Sequence, residues 1–271
     1  MTRTFAVIGD PIEHSLSPSI HNAAFKALNL DCTYIAYRIP RGELKEGIES
    51  LRQIKISGFN VTIPYKIEMM QYLDESSPEC KMIGATNTVS NENGRFIGYN
   101  TDMDGFLEPI KKRNIGISGE DVLVLGSGGA ARAIVAGFAK EKAKKITVAN
   151  RTIQKAQELS KFASDLGAES DHVALSGIDV SKYKFIINAT SVGLKNEPSP
   201  IPTDMINSSH VVYDIIYMPM NTDLITQSKK NSATIIYGYE MLLGQATLAF
   251  QIWHKTPAPY DTMKKVLLGG F

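Results

Sequence analysis

Gly126, Gly128 and Ala131 stand at the spacing G-x-G-x-x-A, between the apolar run Val122–Leu125 and an amphipathic run carrying Ile134, Val135 and Phe138. Small residues at that spacing suit phosphate chemistry. Gly126 allows a tight turn from strand to helix, Gly128 lets a pyrophosphate approach the backbone, and Ala131 lets helix and strand pack closely. The free N–H groups and positive dipole end of the helix then hold the anion. A plain tight turn between strand and helix is the alternative. The next strand, Lys145–Ala149, bears on the choice. It ends at Asn150, Arg151 and Thr152, with Lys155 one turn later. An NAD-binding unit places an acidic residue here for the ribose hydroxyl. A carboxylate would repel a 2′-phosphate, whereas Arg151 and Lys155 would pair with it. These residues predict NADP rather than NAD.

The other polar candidates lie mostly in the front half. Asn60, Thr62 and Lys66 fall where the strand Gly58–Ile63 meets Pro64, the kind of strand end at which α/β sheets collect ligands. By position alone, a surface lysine ahead of a helix is the better reading of Lys66. Ser15 and Ser17 precede Pro18 in a polar loop, where hydroxyls serve as helix caps or hold a polyhydroxylated ligand; capping suits Ser17 in particular. Asn87 is a polar residue within a strand, and an isolated Asp102 reads as a helix cap. His14 and His21 lack a compact ligand set. Cys32 and Cys80 are too isolated for a metal knuckle or a disulfide framework. No metal is expected.

The elements that must position these residues follow from periodicity. Strands Phe5–Ile8, Thr33–Ile39 and Gly58–Ile63 alternate with helical runs, one opening at Pro18 and one carrying Leu44, Ile48 and Leu51. That alternation predicts a first α/β unit with a mainly parallel sheet. Ala85–Ser90 and Arg95–Tyr99 flank the turn-rich Asn91–Gly94 as a hairpin. Asn114–Gly119, with two glycines, reads as the passage between domains. Beyond the glycine turn come strands at Phe185–Asn188, His210–Tyr217 and Ala233–Tyr237. Asn188–Gly193, with Thr190 inside it, lies at a strand end where the nicotinamide half of the cofactor would run. Leu194–Thr203 carries three prolines and reads as an irregular loop. A mostly apolar helix over Glu240–His254 is expected to cross back to the first domain, with Gln245 its one inward-facing uncharged polar residue. The fold class is therefore α/β in two domains: an N-terminal α/β substrate domain with a mainly parallel sheet, and a Rossmann-type NADP-binding domain. The C-terminal helices return to the first. The division is 1–103 plus 240–271 for the first domain and 104–239 for the second.

Composition narrows the partners. The 271 residues carry 29 basic and 28 acidic side chains, a net charge of +1, which argues against a nucleic-acid partner. The chain opens almost at once on a strand-like run, with no apolar signal region, and no run is long enough to span a bilayer. A cytoplasmic protein is expected, with monomer and homodimer both open.

Six stretches together resemble the shikimate dehydrogenase family. They are Gly9–Asn22, with Ser15, Ser17 and Pro18 as S-x-S-P; Gly58–Lys66, with Asn60-Val-Thr-Ile-Pro-Tyr-Lys66; Gly84–Val89; Gly98–Asp102 with Gly105; Gly126–Arg132 with Asn150-Arg-Thr152; and Gly238–Gln245. The resemblance covers nearly the whole chain and implies reduction of 3-dehydroshikimate to shikimate with NADPH. It implies that Ser15, Ser17, Asn60, Thr62, Asn87 and Gln245 hold the carboxylate and hydroxyls of shikimate, with Tyr217 near the substrate. Lys66 and Asp102 match the catalytic pair. Gly126, Ser127, Gly128, Gly129, Ala130, Asn150, Arg151, Thr152 and Lys155 match the NADP contacts, with Thr190, Ile215 and Gly238 toward the nicotinamide. Glu240 departs from the family, which usually carries glycine before Met241. Rival readings are a quinate/shikimate dehydrogenase using NAD(P), a non-catalytic dinucleotide-sensing homologue, and another small-molecule NADP reductase. Ser15, Ser17 and the Asn150–Arg151 pair favour shikimate and NADP. Retention of both Lys66 and Asp102 argues against a sensor.

Overall fold

The structure is a computed structural model that describes residues 2–269. Its contacts divide the chain into two units, one holding the described residues up to Asp102 and from Leu243 onward, the other Met103–Leu242. Asn114–Gly119, read from its glycines as the passage between domains, lies wholly inside the second unit. The chain instead changes unit at the start of one helix and within another, where no glycine run marks the place.

The first unit is built from β1 (Arg3–Gly9), α1 (Ser17–Ala27), β2 (Cys32–Arg38), α2 (Leu44–Gln53), β3 (Gly58–Val61), β4 (Glu75–Ser76), α3 (Pro78–Ile83), β5 (Thr88–Glu92) and β6 (Arg95–Tyr99). The sheet order is β2-β1-β3-β5-β6-β4. Helical crossovers keep β1, β2 and β3 parallel, and only β5 runs against the rest. Pairing in the hairpin continues to Glu92 opposite Arg95, so the turn is Asn93-Gly94 alone, with φ of 56° and 89°. Two positive φ angles are what a two-residue hairpin with matched twist requires. Ala6, Ile8, Phe59 and Val61 pack one sheet face against Leu44, Ile48 and Leu51 of α2.

The other face receives α1 and the C-terminal helix α8 (Gly238–His254), which crosses into this unit at Leu243, while α9 (Tyr260–Leu268) packs against α1. Phe5 meets Phe25 and Trp253 there. The Trp253 indole donates to Val89 O at 3.0 Å, and a Cβ on Gly58 would come within 2.5 Å of that indole nitrogen. Gly58 is thus the gap that seats the tryptophan. Thr247 is as buried as Gln245, so Gln245 is not the only inward polar residue of α8. The Thr247 hydroxyl donates to Gly244 O, one turn back, at 2.8 Å.

The second unit runs α4 (Asp102–Lys112, from Met103 on), β7 (Asp121–Leu125), α5 (Gly129–Lys140), β8 (Lys145–Asn150), α6 (Ile153–Asp165), β9 (Glu169–Ala174), β10 (Phe185–Asn188), β11 (Val211–Asp214), α7 (Asp223–Lys230) and β12 (Thr234–Tyr237). The sheet is wholly parallel, in the order β12-β11-β10-β7-β8-β9. The direction of winding reverses between β7 and β10, and doubly wound sheets bind ligands at that switch point. Strand β9 was not legible in the sequence. It is an edge strand of Glu, Ser, Asp, His, Val and Ala paired only to β8, so it lacks the apolar run of a central strand. The strand expected over His210–Tyr217 stops at Asp214, because the Asp214 carboxylate accepts from Ile216 N at 3.0 Å and turns the chain out of the sheet. Among the described residues, no helix is long and apolar enough to cross a membrane.

Candidate active site

In the first unit a lysine and a carboxylate meet in a buried position. Lys66 Nζ lies 2.5 Å from Asp102 Oδ2, with their side chains 14% and 4% exposed. Lys66 follows β3 on a turn closed by Tyr65 N donating to Thr62 O, and Thr86 N pins its carbonyl at 2.8 Å. The neighbouring Tyr65 ring is buried, with its hydroxyl at Ile39 O and Pro40 O. Such anchoring on both sides is not that of a lysine waving at a helix start. Nor is the Asp102 carboxylate a cap. Asn100 Oδ1 accepts from Asp102 N at 3.1 Å, and Asp102 Oδ1 accepts from Asn87 Nδ2 at 2.8 Å.

Asn87 joins the pair to the C-terminal segment, its amide also donating to Gln245 Oε1 at 3.4 Å. Asn60 lies one strand over. Its amide nitrogen donates to Asn87 O and to Thr88 Oγ1, each at 3.0 Å, and its oxygen accepts from the Tyr34 hydroxyl at 2.6 Å. Both amide protons of Asn60 are therefore committed within the protein, which leaves it one acceptor lone pair for a ligand. Ser17 opens α1 but makes no side-chain cap; Leu16 holds the cap position, and Ser17 N donates to Ser15 Oγ at 3.3 Å. Thr62 is half-buried beside Gly9, where a Cβ would strike its methyl group.

The glycine turn in the second unit has the form a dinucleotide needs. Gly126 has φ of +105°, and a Cβ there would lie 2.8 Å from Ala189 O. Its glycine identity is explained by the protein alone. Gly128 differs: φ is −80°, and nothing lies within 4 Å of where its Cβ would be. Open space in front of an ordinary backbone is what an approaching pyrophosphate requires. Gly128 is also the N-cap of α5 without a side-chain cap, so the helix's first N–H groups are not met by one. Gly129 and Ala130 open the helix. Ser127 sits in the turn, half-buried.

At the end of β8, Asn150 Nδ2 donates to Thr152 O at 3.1 Å. Arg151, Thr152 and Lys155 are exposed at the start of α6, and among the described residues neither Arg151 nor Lys155 makes an ion pair. Thr190 packs its methyl 3.1 Å from the Gly126 Cβ position, while its hydroxyl donates to Asn188 Oδ1 at 2.7 Å. Ile215 N donates to Asn188 O at 3.0 Å. Gly238 must be glycine because the Ile215 carbonyl occupies the position of its Cβ. Tyr217, three residues past β11, is half-buried, and burial pushes its phenol above the usual range. Glu240 grips Arg113 through both oxygens, at 2.8 and 2.9 Å, and accepts from Tyr237 N at 3.1 Å. The residue that departs from the family thus caps α8 in the manner of a capping box.

Several participants were not singled out from the sequence. Tyr34 and Thr88 read as ordinary strand residues. Thr101 was visible only as the middle of Asn100-Thr-Asp102. Asp214 looked like the interior of a long strand. It is buried, accepting from Asn188 Nδ2 at 3.1 Å, Thr222 Oγ1 at 2.7 Å and Ile216 N, and so ties three loops at the strand ends; burial pushes its carboxyl up. His21 lies among aromatic rings, and among the described residues no cluster of His, Cys, Asp and Glu could hold a metal.

Comparison with known proteins finds relatives along the chain. Residues 7–89 match the family described as "Shikimate dehydrogenase substrate binding domain", residues 109–196 "Shikimate / quinate 5-dehydrogenase", and residues 238–268 "Shikimate 5'-dehydrogenase C-terminal domain". A shikimate dehydrogenase (NADP(+)) from Nitrosopumilus maritimus is 63% identical over 273 residues, covering 100% of both chains. The crystal structure of shikimate dehydrogenase from Aquifex aeolicus matches with a TM-score of 0.91 at 38% identity, covering 98% of this chain and 97% of that one. The enzyme from Thermus thermophilus, in complex with NADP(H) and shikimate, matches with a TM-score of 0.89 at 33% identity, covering 100% of each.

Proposed function

This chain belongs to the shikimate dehydrogenase family, and from that premise we propose that Lys66 and Asp102 are its catalytic pair. The protein is an NADP-dependent oxidoreductase that interconverts 3-dehydroshikimate and shikimate, a step of the shikimate pathway of aromatic amino-acid biosynthesis. NADPH, when bound, supplies the hydride. Reduction builds negative charge on the carbonyl oxygen of the substrate. The Lys66 ammonium stabilises that charge; one of its N–H groups is held by Asp102 and two remain for the ligand. Asn87 holds Asp102 from the other side, so the carboxylate cannot turn away from the lysine. Lys66 and Asp102 between them deliver the proton that completes the alcohol and recover it in the reverse direction.

Ser15, Ser17, Asn60, Thr62, Asn87, Gln245 and Tyr217 hold the carboxylate and hydroxyls of the substrate in this reading. Its support is the polar network running from Asn60 through Asn87 to Asp102 and Gln245. Gly126, Ser127, Gly128, Gly129 and Ala130 cradle the pyrophosphate, and Asn150, Arg151, Thr152 and Lys155 take the 2′-phosphate. Thr190, Ile215 and Gly238 line the nicotinamide side. Residues 1–103 with 240–271 then form the substrate domain and 104–239 the NADP domain. A cytoplasmic setting belongs to the same reading, supported by the unpaired thiols of Cys32 and Cys80.

The observation that carries the mechanism is the buried contact between Lys66 and Asp102. The test follows the NADPH absorbance band with shikimate and quinate against NADP and NAD. Turnover with shikimate and NADP, well above every other pairing, is expected. No absorbance change with that pair refutes the reading, and faster turnover of quinate with NAD reverses the substrate assignment.

A further inference from the structure

We propose that Thr88 is a positioning residue for the reaction, and that Tyr34 acts on the catalytic carboxylate through it. The inference rests on the assignment of Lys66 and Asp102 as the catalytic pair. Strand register places Asn60 of β3 directly opposite Thr88 of β5. Donor and acceptor chemistry then sets the orientation of both side-chain amides in the network. Asn60 Nδ2 faces Asn87 O, which only accepts, so the amide nitrogen of Asn60 must point there. Its second proton goes to Thr88 Oγ1, and its oxygen accepts from Tyr34. Asn87 Oδ1 faces the backbone N–H of Thr101 at 2.8 Å, which only donates, so the amide nitrogen of Asn87 must face Asp102.

Thr88 has one hydroxyl proton. With its oxygen taken by Asn60, that proton goes to Asn87 Oδ1 at 3.1 Å or to Thr101 Oγ1 at 3.2 Å. Both lie on the side of the network that holds Asp102. The Thr88 hydroxyl thus joins the Tyr34–Asn60 side to the Asn87–Asp102 side. All of these groups are buried, and burial keeps the Tyr34 phenol protonated, hence a donor. Tyr34 is itself immobilised: Asn22 clips its backbone at both ends, by 2.9 and 2.8 Å bonds, and its ring lies flat on His21 at 4.5 Å.

The experiment measures kcat and both KM values in Thr88→Val, Thr88→Ser, Tyr34→Phe and the double variant Tyr34→Phe/Thr88→Val. Thr88→Val is expected to lower kcat by roughly 10-fold with the NADP KM unchanged, and Thr88→Ser, which keeps the hydroxyl, to restore most of it. Tyr34→Phe alone should lower kcat by roughly 3-fold, and the double variant should be no slower than Thr88→Val, since the tyrosine acts through the threonine. A methyl-packing role predicts the opposite order, with serine worse than valine. Wild-type kcat in Thr88→Val, or fully additive losses in the double variant, overturns the proposal. If Thr88→Val does not fold, wild-type kcat in Tyr34→Phe overturns it by itself. Absence of shikimate turnover in the unmodified protein would instead refute the functional assignment beneath it.

Discussion

Acidification from pH 7.5 to 5.0 should destabilise this protein through two histidines. His21 is fully buried, and neither ring nitrogen has a partner among the described residues; His254 Nε2 is likewise buried and unpartnered. Their rings lie in one aromatic cluster with Phe5, Phe25, Phe250 and Trp253. Burial, with the nearby charge of His254, lowers His21 from 6.5 to about 3. Burial and Arg3 lower His254 to about 4. Both are neutral in the folded state and charged in the unfolded chain below pH 6.5. The unfolded state then binds more protons, so stability is complete above that pH and falls as pH drops toward 4. At 1.36 kcal/mol per pH unit, each histidine removes about 2 kcal/mol by pH 5, together about 4 kcal/mol of a typical total of 5–15. Carboxylates with lowered pKa values, such as Asp74, titrate below this window. Urea unfolding at pH 7.5 and 5.0 reads the effect directly. His21→Phe should remove about half of the pH-dependent loss and, by deleting two unsatisfied buried nitrogens, leave stability at pH 7.5 equal or higher. Equal unfolding free energies of the wild type at the two pH values would refute the argument. So would an undiminished acid loss in His21→Phe.

Four further outcomes follow from the geometry. Lys66→Ala should lower kcat by roughly 10²–10⁴ with a smaller change in substrate KM; near-normal kcat in steady-state assays would remove the lysine from the chemistry. Arg151→Ala should raise the KM for NADPH by roughly 10–100-fold and leave that for NADH largely unchanged; equal effects on the two cofactors would dismiss the 2′-phosphate contact. Gly128→Ala should keep the wild-type melting temperature, since its methyl meets no atom of the protein, yet weaken NADP binding by titration calorimetry; undiminished affinity would show that no phosphate approaches there. Glu240→Gly should cost about 1–2 kcal/mol in urea unfolding, from a lost cap, the Arg113 pair and glycine's helix penalty; an unchanged midpoint would mean that the half-exposed pair contributes nothing.

Features that depend on neighbours in sequence were legible without coordinates. The G-x-G-x-x-A turn is set by sterics over a few residues, so strand, turn, helix start and cofactor all followed from Val122–Phe138 and Asn150–Lys155. The alternation of strands and helices likewise gave the two-domain α/β class. A polar element escaped: β9 has no apolar run to mark it as a strand. From the residues alone, Lys66 read as a surface cation and Asp102 as a cap, and only family resemblance paired them. They lie 36 residues apart, and the Asn87–Gln245 contact spans 158. What joins them is strand register, with Asn60 opposite Thr88 and Thr88 opposite Tyr99, which brings three separate stretches to one end of the sheet. A shift of one residue would turn every side chain to the other face, and that choice is made by the packing of whole strands rather than by any local stretch.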